Sequence, residues 1–203
     1  MLEVSQLNIT LPDRPLIQKL SFSVAAGQVL ALLGPSGSGK STVLDWMVGL
    51  SAPGVQAEGA LSINGQRLDV LPCEQRRLGL MTQTPLLFPH LDVLGNLKFG
   101  AQDPDTDFDA MLAQADLAGL GGRDVATLSG GQVARVSLLR TLLSDPVALF
   151  LDEPFSRLDA ELRTSIRQFV WARTRDIPVV LVTHDPVDIP AHAQTIQLAD
   201  YTC

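Results

Sequence analysis

Gly34-Pro35-Ser36-Gly37-Ser38-Gly39-Lys40-Ser41-Thr42 decides the fold of this 203-residue chain. It follows the apolar run Val29 to Leu33 and opens a helical pattern from Lys40 to Leu50, the strand-to-helix setting that a G-x-x-x-x-G-K-[ST] motif requires. The glycines leave the backbone free to wrap, so successive N–H groups and the helix N-terminus point at one anion. A side chain at Gly39 would block that approach. Lys40 is placed to neutralise β and γ phosphates and Ser41 to ligate Mg2+. Chance alone would produce this pattern in roughly one chain in 150 of this length.

The base is read by elimination. The chain has only three lysines, Lys19, Lys40 and Lys98, and none stands in the N/T-K-x-D pattern that reads guanine. Adenine nucleotide is the expectation.

Working outward, further β-branched and apolar runs occur at Leu2 to Leu11, Leu20 to Val24, Leu61 to Ile63, Leu78 to Thr82, Ala148 to Leu151, Val179 to Thr183 and Thr195 to Leu198. These are the expected strands. Helical periodicity covers Ala110 to Leu117, Gln132 to Leu143 and Ala160 to Arg175, where Leu162, Ile166, Phe169 and Val170 share a face. Strands alternating with helices predict an α/β core. Val147 to Leu151 and Val179 to Thr183 are almost wholly apolar, as central strands covered on both faces must be. The stretch from about Thr84 to Pro146 is mostly helical and reads as an insertion into one domain.

A second group of residues supplies candidate chemistry. Ala148 to Leu151 runs into Asp152-Glu153, and in a parallel sheet the C-terminal strand ends face the ligand crevice. Neighbouring residues at a strand end point apart, which suits Asp152 to support Mg2+ and Glu153 to polarise the attacking water. His184 follows another apolar strand, where its imidazole can bond a γ phosphate or a backbone carbonyl. Gln83 lies just past Leu78 to Thr82 and can reach metal or water. Leu128-Ser129-Gly130-Gly131-Gln132 is a second Gly-rich turn opening a helix, and so a second anion site. One nucleotide does not need two such cradles, and a head-to-tail pairing of two chains would resolve the excess.

Other features have plainer readings. Asn64-Gly65 is expected to be a hairpin turn. Asp103, Asp105, Asp107 and Asp109 alternate like a calcium loop, but Phe108 and Gln114 stand where Gly and Glu would be needed, so a solvated acidic loop is expected. Trp46 and Trp171 fall within helical patterns and should pack. Cys73 and Cys203 are far apart and lack metal-ligand spacing, supporting neither a disulfide framework nor a zinc site.

Composition narrows the partners. With 22 acidic against 15 basic side chains the net charge is −7, which offers no broad positive field to a nucleic acid backbone. Hydrophobic residues make up 46%, enough to exclude whole-chain disorder. Met1-Leu2-Glu3-Val4 has no basic leader, and the uncharged stretch Leu20 to Gly39 is too rich in Ser, Gly and Pro for a membrane span. A cytoplasmic protein is expected.

Taken together, the motifs resemble those of the ATP-binding subunits of ABC transporters, in that family's order and over essentially the whole chain. Gly34 to Thr42 resembles Walker A, Gln83 the Q-loop residue, Leu128 to Gln132 the family signature, and Ala148 to Glu153 Walker B with its catalytic glutamate. Ser156-Arg157-Leu158-Asp159 resembles the D-loop and His184 the switch histidine. The resemblance implies one ABC ATP-binding domain over 1–203. That domain would comprise an antiparallel β subdomain, a RecA-like P-loop NTPase core and a helical subdomain inserted near residues 84–146.

It further implies two ATP molecules with Mg2+ sandwiched in a homodimer, where Walker A of one subunit faces Ser129, Gly130, Gly131, Gln132 and Asp159 of the other. The implied partners are integral membrane permease subunits and a substrate-binding protein, with this chain peripheral on the cytoplasmic face of the inner membrane. Leu86 to Leu91 resembles the segment that lines the permease-binding groove of import-type subunits. The chain ends soon after its last strand, which implies a short form without a C-terminal regulatory domain. The finer likeness is to short bacterial import ATPases near the thiamine importers.

Two positions depart from the family. Leu11 occupies the stretch where an aromatic residue usually stacks on adenine, and Val133-Ala134 follow the signature where polar residues are commoner, though Arg135 matches. The alternative class is a soluble ABC-type ATPase acting in translation or DNA repair. Such proteins generally carry two cassettes or a long coiled-coil insertion, neither of which fits this length. A P-loop small-molecule kinase is third, and the signature and His184 argue against it.

Overall fold

A computed structural model describes residues 1–202; the expectation for Cys203 lies outside them. The elements form two sheets. The first is antiparallel, with β1 (Leu2–Thr10), β2 (Pro15–Val24), β4 (Gln56–Ile63) and β5 (Gln66–Arg67) in the order β2-β1-β4-β5. The second is parallel. It places β6 (Leu78–Met81), β7 (Ala148–Asp152), β8 (Val179–Val182), β3 (Val29–Leu33) and β9 (Gln194–Gln197) in the order β6-β7-β8-β3-β9. The α/β expectation and its RecA-like parallel core are therefore present.

The apolar strands are covered on both faces, and the period-2 geometry of a strand sorts their side chains into two cores. Leu30, Leu32, Phe150, Val180 and Val182 join one cluster with Val43, Leu44 and Met47 of α1 (Lys40–Val48) and the buried residues of the antiparallel sheet. Val29, Leu149, Leu151, Val179 and Leu181 join the other. That second cluster draws on α2 (Val93–Gly100), α3 (Phe108–Gln114), α4 (Gly130–Leu143) and α5 (Ala160–Arg173). Ile166 and Val170 of α5 are buried there, with Leu162 and Phe169 partly buried beside them, the face read from the sequence. Trp46 is in the first core, and Trp171 packs edge-on against the buried Phe155 at 6.1 Å.

Local chemistry fixes the ends of these elements. Asp92, Asp107, Ser129 and Asp159 cap α2, α3, α4 and α5, each accepting a backbone N–H of the first turn. Asn64 and Gly65 both have positive φ, at 50° and 81°, and join β4 to β5 as the expected hairpin. Within the acidic loop, Asp103 accepts the Asp105 N–H and Asp107 the Ala110 N–H, so these carboxylates serve local turns.

Three segments are more ordered than expected, among them β4, which starts at Gln56 rather than Leu61. β2 starts at Pro15 rather than Leu20, tolerable because it is an edge strand whose first residue need not donate. α2 has no counterpart among the expected helices, since Gly95 and Asn96 dilute its pattern. Asn96 is fully buried and explains the helix: its amide donates to the Phe88, Leu91 and Asp92 carbonyls and accepts the Phe88 N–H.

Candidate nucleotide site

The phosphate-binding loop leaves β3 at Leu33 and enters α1 at Lys40. Gly34, Gly37 and Gly39 have φ of 151°, 79° and 96°, values that L side chains rarely adopt. A Cβ on Gly39 would also lie 2.9 Å from Leu16 Cδ2, a contact that the leucine tip could relieve, so the φ of 96° is what favours glycine there. No side chain caps α1, which leaves its first-turn N–H groups for a ligand. Lys40 is buried, and its ammonium donates to the Gly34 and Pro35 carbonyls at 2.8 and 2.9 Å. Burial pulls its pKa below the usual lysine value, and the charges of Glu153 and Asp152 oppose that shift.

The parallel sheet sets β7 and β3 on either side of β8, so the acidic strand end arrives beside the loop. Ser41 Oγ donates to Asp152 Oδ2 at 2.6 Å. A carboxylate oxygen, a hydroxyl oxygen and the amide of Gln83 at one cavity are the hard donors that Mg2+ prefers, so these residues fit that ion. Glu153 follows the last residue of β7 with a φ of 51° and lines the same cavity as Asp152. Its N–H donates to the Val182 carbonyl. Glu153 Oε1 is buried without a hydrogen-bond partner and lies 3.4 Å from His184 Nε2, outside hydrogen-bond geometry. Burial raises the Glu153 pKa above the ordinary carboxyl value; His184 opposes this, and Asp152 and Asp188 add to it.

These groups line one cavity of about 270 Å³. Ser36, Gly37, Gly39, Lys40, Ser41, Thr42, Gln83, Asp152, Glu153 and His184 all face it, together with Leu11, Leu16 and Val182. Gly34 and Pro35 act through their carbonyls on Lys40. Ser38 is buried with an unpartnered hydroxyl beside a neighbouring hollow. Leu11 thus lies at the cavity, as the resemblance placed it.

Ser129, Gly130, Gly131, Gln132 and Asp159 are absent from that lining. They stand at the starts of α4 and α5, with Ser129, Gly130 and Asp159 exposed. Ser129 Oγ accepts the Gln132 N–H while Gln132 Oε1 accepts the Ser129 N–H, a capping box that leaves the serine O–H able to donate. A Cβ on Gly131 would meet the Arg157 carbonyl at 3.0 Å, so that glycine lets the Arg157 segment pack on the turn that opens α4. Arg135 is buried and donates to the Ala115 and Asp116 carbonyls at 2.8 Å, tying α4 to the end of α3.

Sequence reasoning missed Leu16, which only the early start of β2 brings to the cavity. It also missed Arg163, Thr183 and Asp188, which surround the His184 loop. The one hint was a run of two acids, Asp185 and Asp188, following the histidine.

A parallel sheet with an uncapped, glycine-led helix at one strand end and a carboxylate from the next strand but one defines a P-loop nucleotide hydrolase. Comparison with known proteins makes this specific: the ABC transporter family profile matches residues 17–156. The chain belongs to that family as an ATP-binding subunit, and such subunits are ATPases. It is 44% identical, over its whole length and 97% of the relative, to the uncharacterized ABC transporter ATP-binding protein YnjD of Escherichia coli. It is 36% identical over 96% of its length to the Fe(3+) ions import ATP-binding protein FbpC of Pseudomonas fluorescens, of which it spans 57%. Among solved structures, a bacterial Atm1-family ABC exporter with ATP bound superposes on 97% of this chain and 37% of its own. That match has a TM-score of 0.83 and 26% identity.

Proposed function

We propose that this chain is the motor subunit of a membrane importer, a single ATP-binding domain over 1–203 with its helical insertion near 84–146, which closes as a two-fold dimer around two ATP molecules. One observation carries the dimer: the chain offers two anion cradles, and the Ser129 to Gln132 cradle has Ser129 and Gly130 exposed and is absent from the lining of the Lys40 cavity. A self-complementary pairing uses both at once, each site taking Lys40 from one subunit and Ser129 from its partner. Asp159, at the exposed start of α5, would lie in the same contact.

In this reading the α1 N–H groups and the Lys40 ammonium bind the phosphates, with Lys40 exchanging the Gly34 and Pro35 carbonyls for phosphate oxygens. Ser41, Asp152 and Gln83 would hold Mg2+, which would supply neutralisation of phosphate charge. Glu153 orients the attacking water and takes its proton, a role suited by a buried oxygen that lacks a donor and by a raised pKa. His184 contacts the γ phosphate. Hydrolysis removes the group that joins the two faces, and the dimer opens.

The names of relatives such as FbpC support import as the direction of transport. Phe88 and His90 lie between the cavity residue Gln83 and α2, and Leu86 and Phe99 are exposed large apolar side chains of the same region. This segment, Leu86 to Leu91, is the proposed contact for a permease, with the chain peripheral on the cytoplasmic membrane face and a substrate-binding protein delivering the cargo. The test is size-exclusion chromatography of Glu153→Gln with ATP and with ADP, followed by co-purification from detergent-solubilised membranes. An ATP-specific dimer that brings down a multi-span membrane protein is expected; a monomer in ATP overturns the proposal.

A further inference from the structure

The loop that carries His184 is held by an ion-pair cluster that belongs to no motif of the nucleotide site. Asp188 is 1% exposed. It receives two hydrogen bonds from the Arg163 guanidinium, at 2.7 and 2.6 Å, and a third from Thr183 Oγ1 at 2.9 Å. Arg163 also reaches Asp185 Oδ2 at 2.7 Å, and the Asp185 N–H donates to Thr183 Oγ1 at 3.1 Å. Of the residues on either side of His184, Asp185 is therefore held by Arg163 directly and Thr183 through Asp188, the bidentate partner of the guanidinium.

Arg163 stands in the first turn of α5, and its N–H donates to the Asp159 carbonyl at 2.9 Å. The cap residue Asp159 and the imidazole of His184 are thus linked through a short run of rigid contacts. The imidazole itself is half exposed and makes no hydrogen bond to fix it, so its direction toward Glu153 depends on the backbone of Thr183 and Asp185.

We propose that Arg163 is a positioning residue which, through Asp188 and Asp185, aims His184 at the Glu153 side of the cavity and ties that aim to the Asp159 end of α5. The proposal rests on the catalytic reading of Glu153 and His184. It makes the histidine responsive to whatever Asp159 contacts, so that a partner subunit docking there steadies the imidazole without touching it.

The experiment is a double-mutant cycle between Arg163→Lys and His184→Ala, read as single-turnover ATP hydrolysis and ATP affinity. Lysine keeps the charge but cannot make the fork. Arg163→Lys should lower the hydrolysis rate about 10-fold or more while leaving the ATP Kd within about 2-fold. In the His184→Ala background the same substitution should cost less than about 2-fold. Equal losses in both backgrounds, or an unaltered rate in Arg163→Lys, overturn the proposal.

Thr183→Val serves if Arg163→Lys does not fold, since it removes two bonds of the cluster at constant shape. It should slow hydrolysis about 3-fold or more, again only when His184 is present, and an equal loss without His184 counts against the idea. Glu153→Gln separates the two readings: continued hydrolysis in that variant refutes the catalytic assignment itself, whereas an inert Glu153→Gln with additive Arg163 losses refutes only the positioning role.

Discussion

Ser41 Oγ and Asp152 Oδ2 are 2.6 Å apart although 111 residues separate them in the chain. Their bond joins the first turn of α1 to the last residue of β7 and presents two hard oxygens to one point. Ser41→Ala should lower ATP affinity about 10-fold or more when Mg2+ is present and leave it unchanged in excess chelator. Titrations under the two conditions check this, and an equal loss in chelator would refute the metal role.

Lys40 is the only lysine at the cavity. Its ammonium is buried against two carbonyls, a placement that makes sense for a group waiting for an anion. Lys40→Ala should abolish ATP binding in a direct calorimetric titration; an unaltered Kd would contradict the phosphate-loop assignment.

Glu153 holds its proton to higher pH in the folded chain than a free carboxyl does, mainly through burial. A raised folded pKa adds stability below the unfolded value and loses it as pH rises through the folded one. Glu153→Gln, which does not titrate, should therefore melt above the parent protein at about pH 7 and close to it near pH 4. Hydrolysis by the parent should rise with pH through a midpoint above the usual carboxylate range. A stability gain for Glu153→Gln that is larger in acid would reverse the sign and sink this account.

Leu11 faces the cavity beside Leu16, at the position where the family resemblance implies an aromatic ring. Stacking on a base contributes about 1–3 kcal/mol, so Leu11→Tyr or Leu11→Trp should tighten ATP binding by roughly 5- to 150-fold. Competition with GTP gives the second readout, and unchanged affinity in both variants would place the base elsewhere.

Arg76 is buried and donates to the Trp46 and Met47 carbonyls at the end of α1 and to the Leu71 and Asp69 carbonyls. Arg76→Leu strands those acceptors and should cost about 3 kcal/mol, seen as a lower urea midpoint. A midpoint within error of the parent would show that water replaces the guanidinium.

The central strands β3, β7 and β8 were readable because continuous apolar runs bounded by polar residues have few other uses. The glycine loop was readable because its function depends on adjacent residues. The start of β2 and the whole of α2 were not, since Pro15, Lys19, Gly95 and Asn96 lack local propensity and are held by the edge position of β2 and by the buried Asn96 bonds. Nothing local in the sequence marks Asp188; its pairing with Arg163, 25 residues away, is what buries it.

By itself the sequence determined that Gly34 to Thr42 forms a phosphate-loop motif on an α/β scaffold and which side chains were available to act there. The tertiary structure alone decided that Ser41, Gln83, Asp152, Glu153 and His184 meet at one cavity, that Leu16 joins them, and that Ser129 does not. The reason is physical. A loop that wraps a phosphate is specified by neighbouring residues, whereas the order β6-β7-β8-β3-β9 follows from which apolar strands bury one another, a long-range choice that no local stretch records.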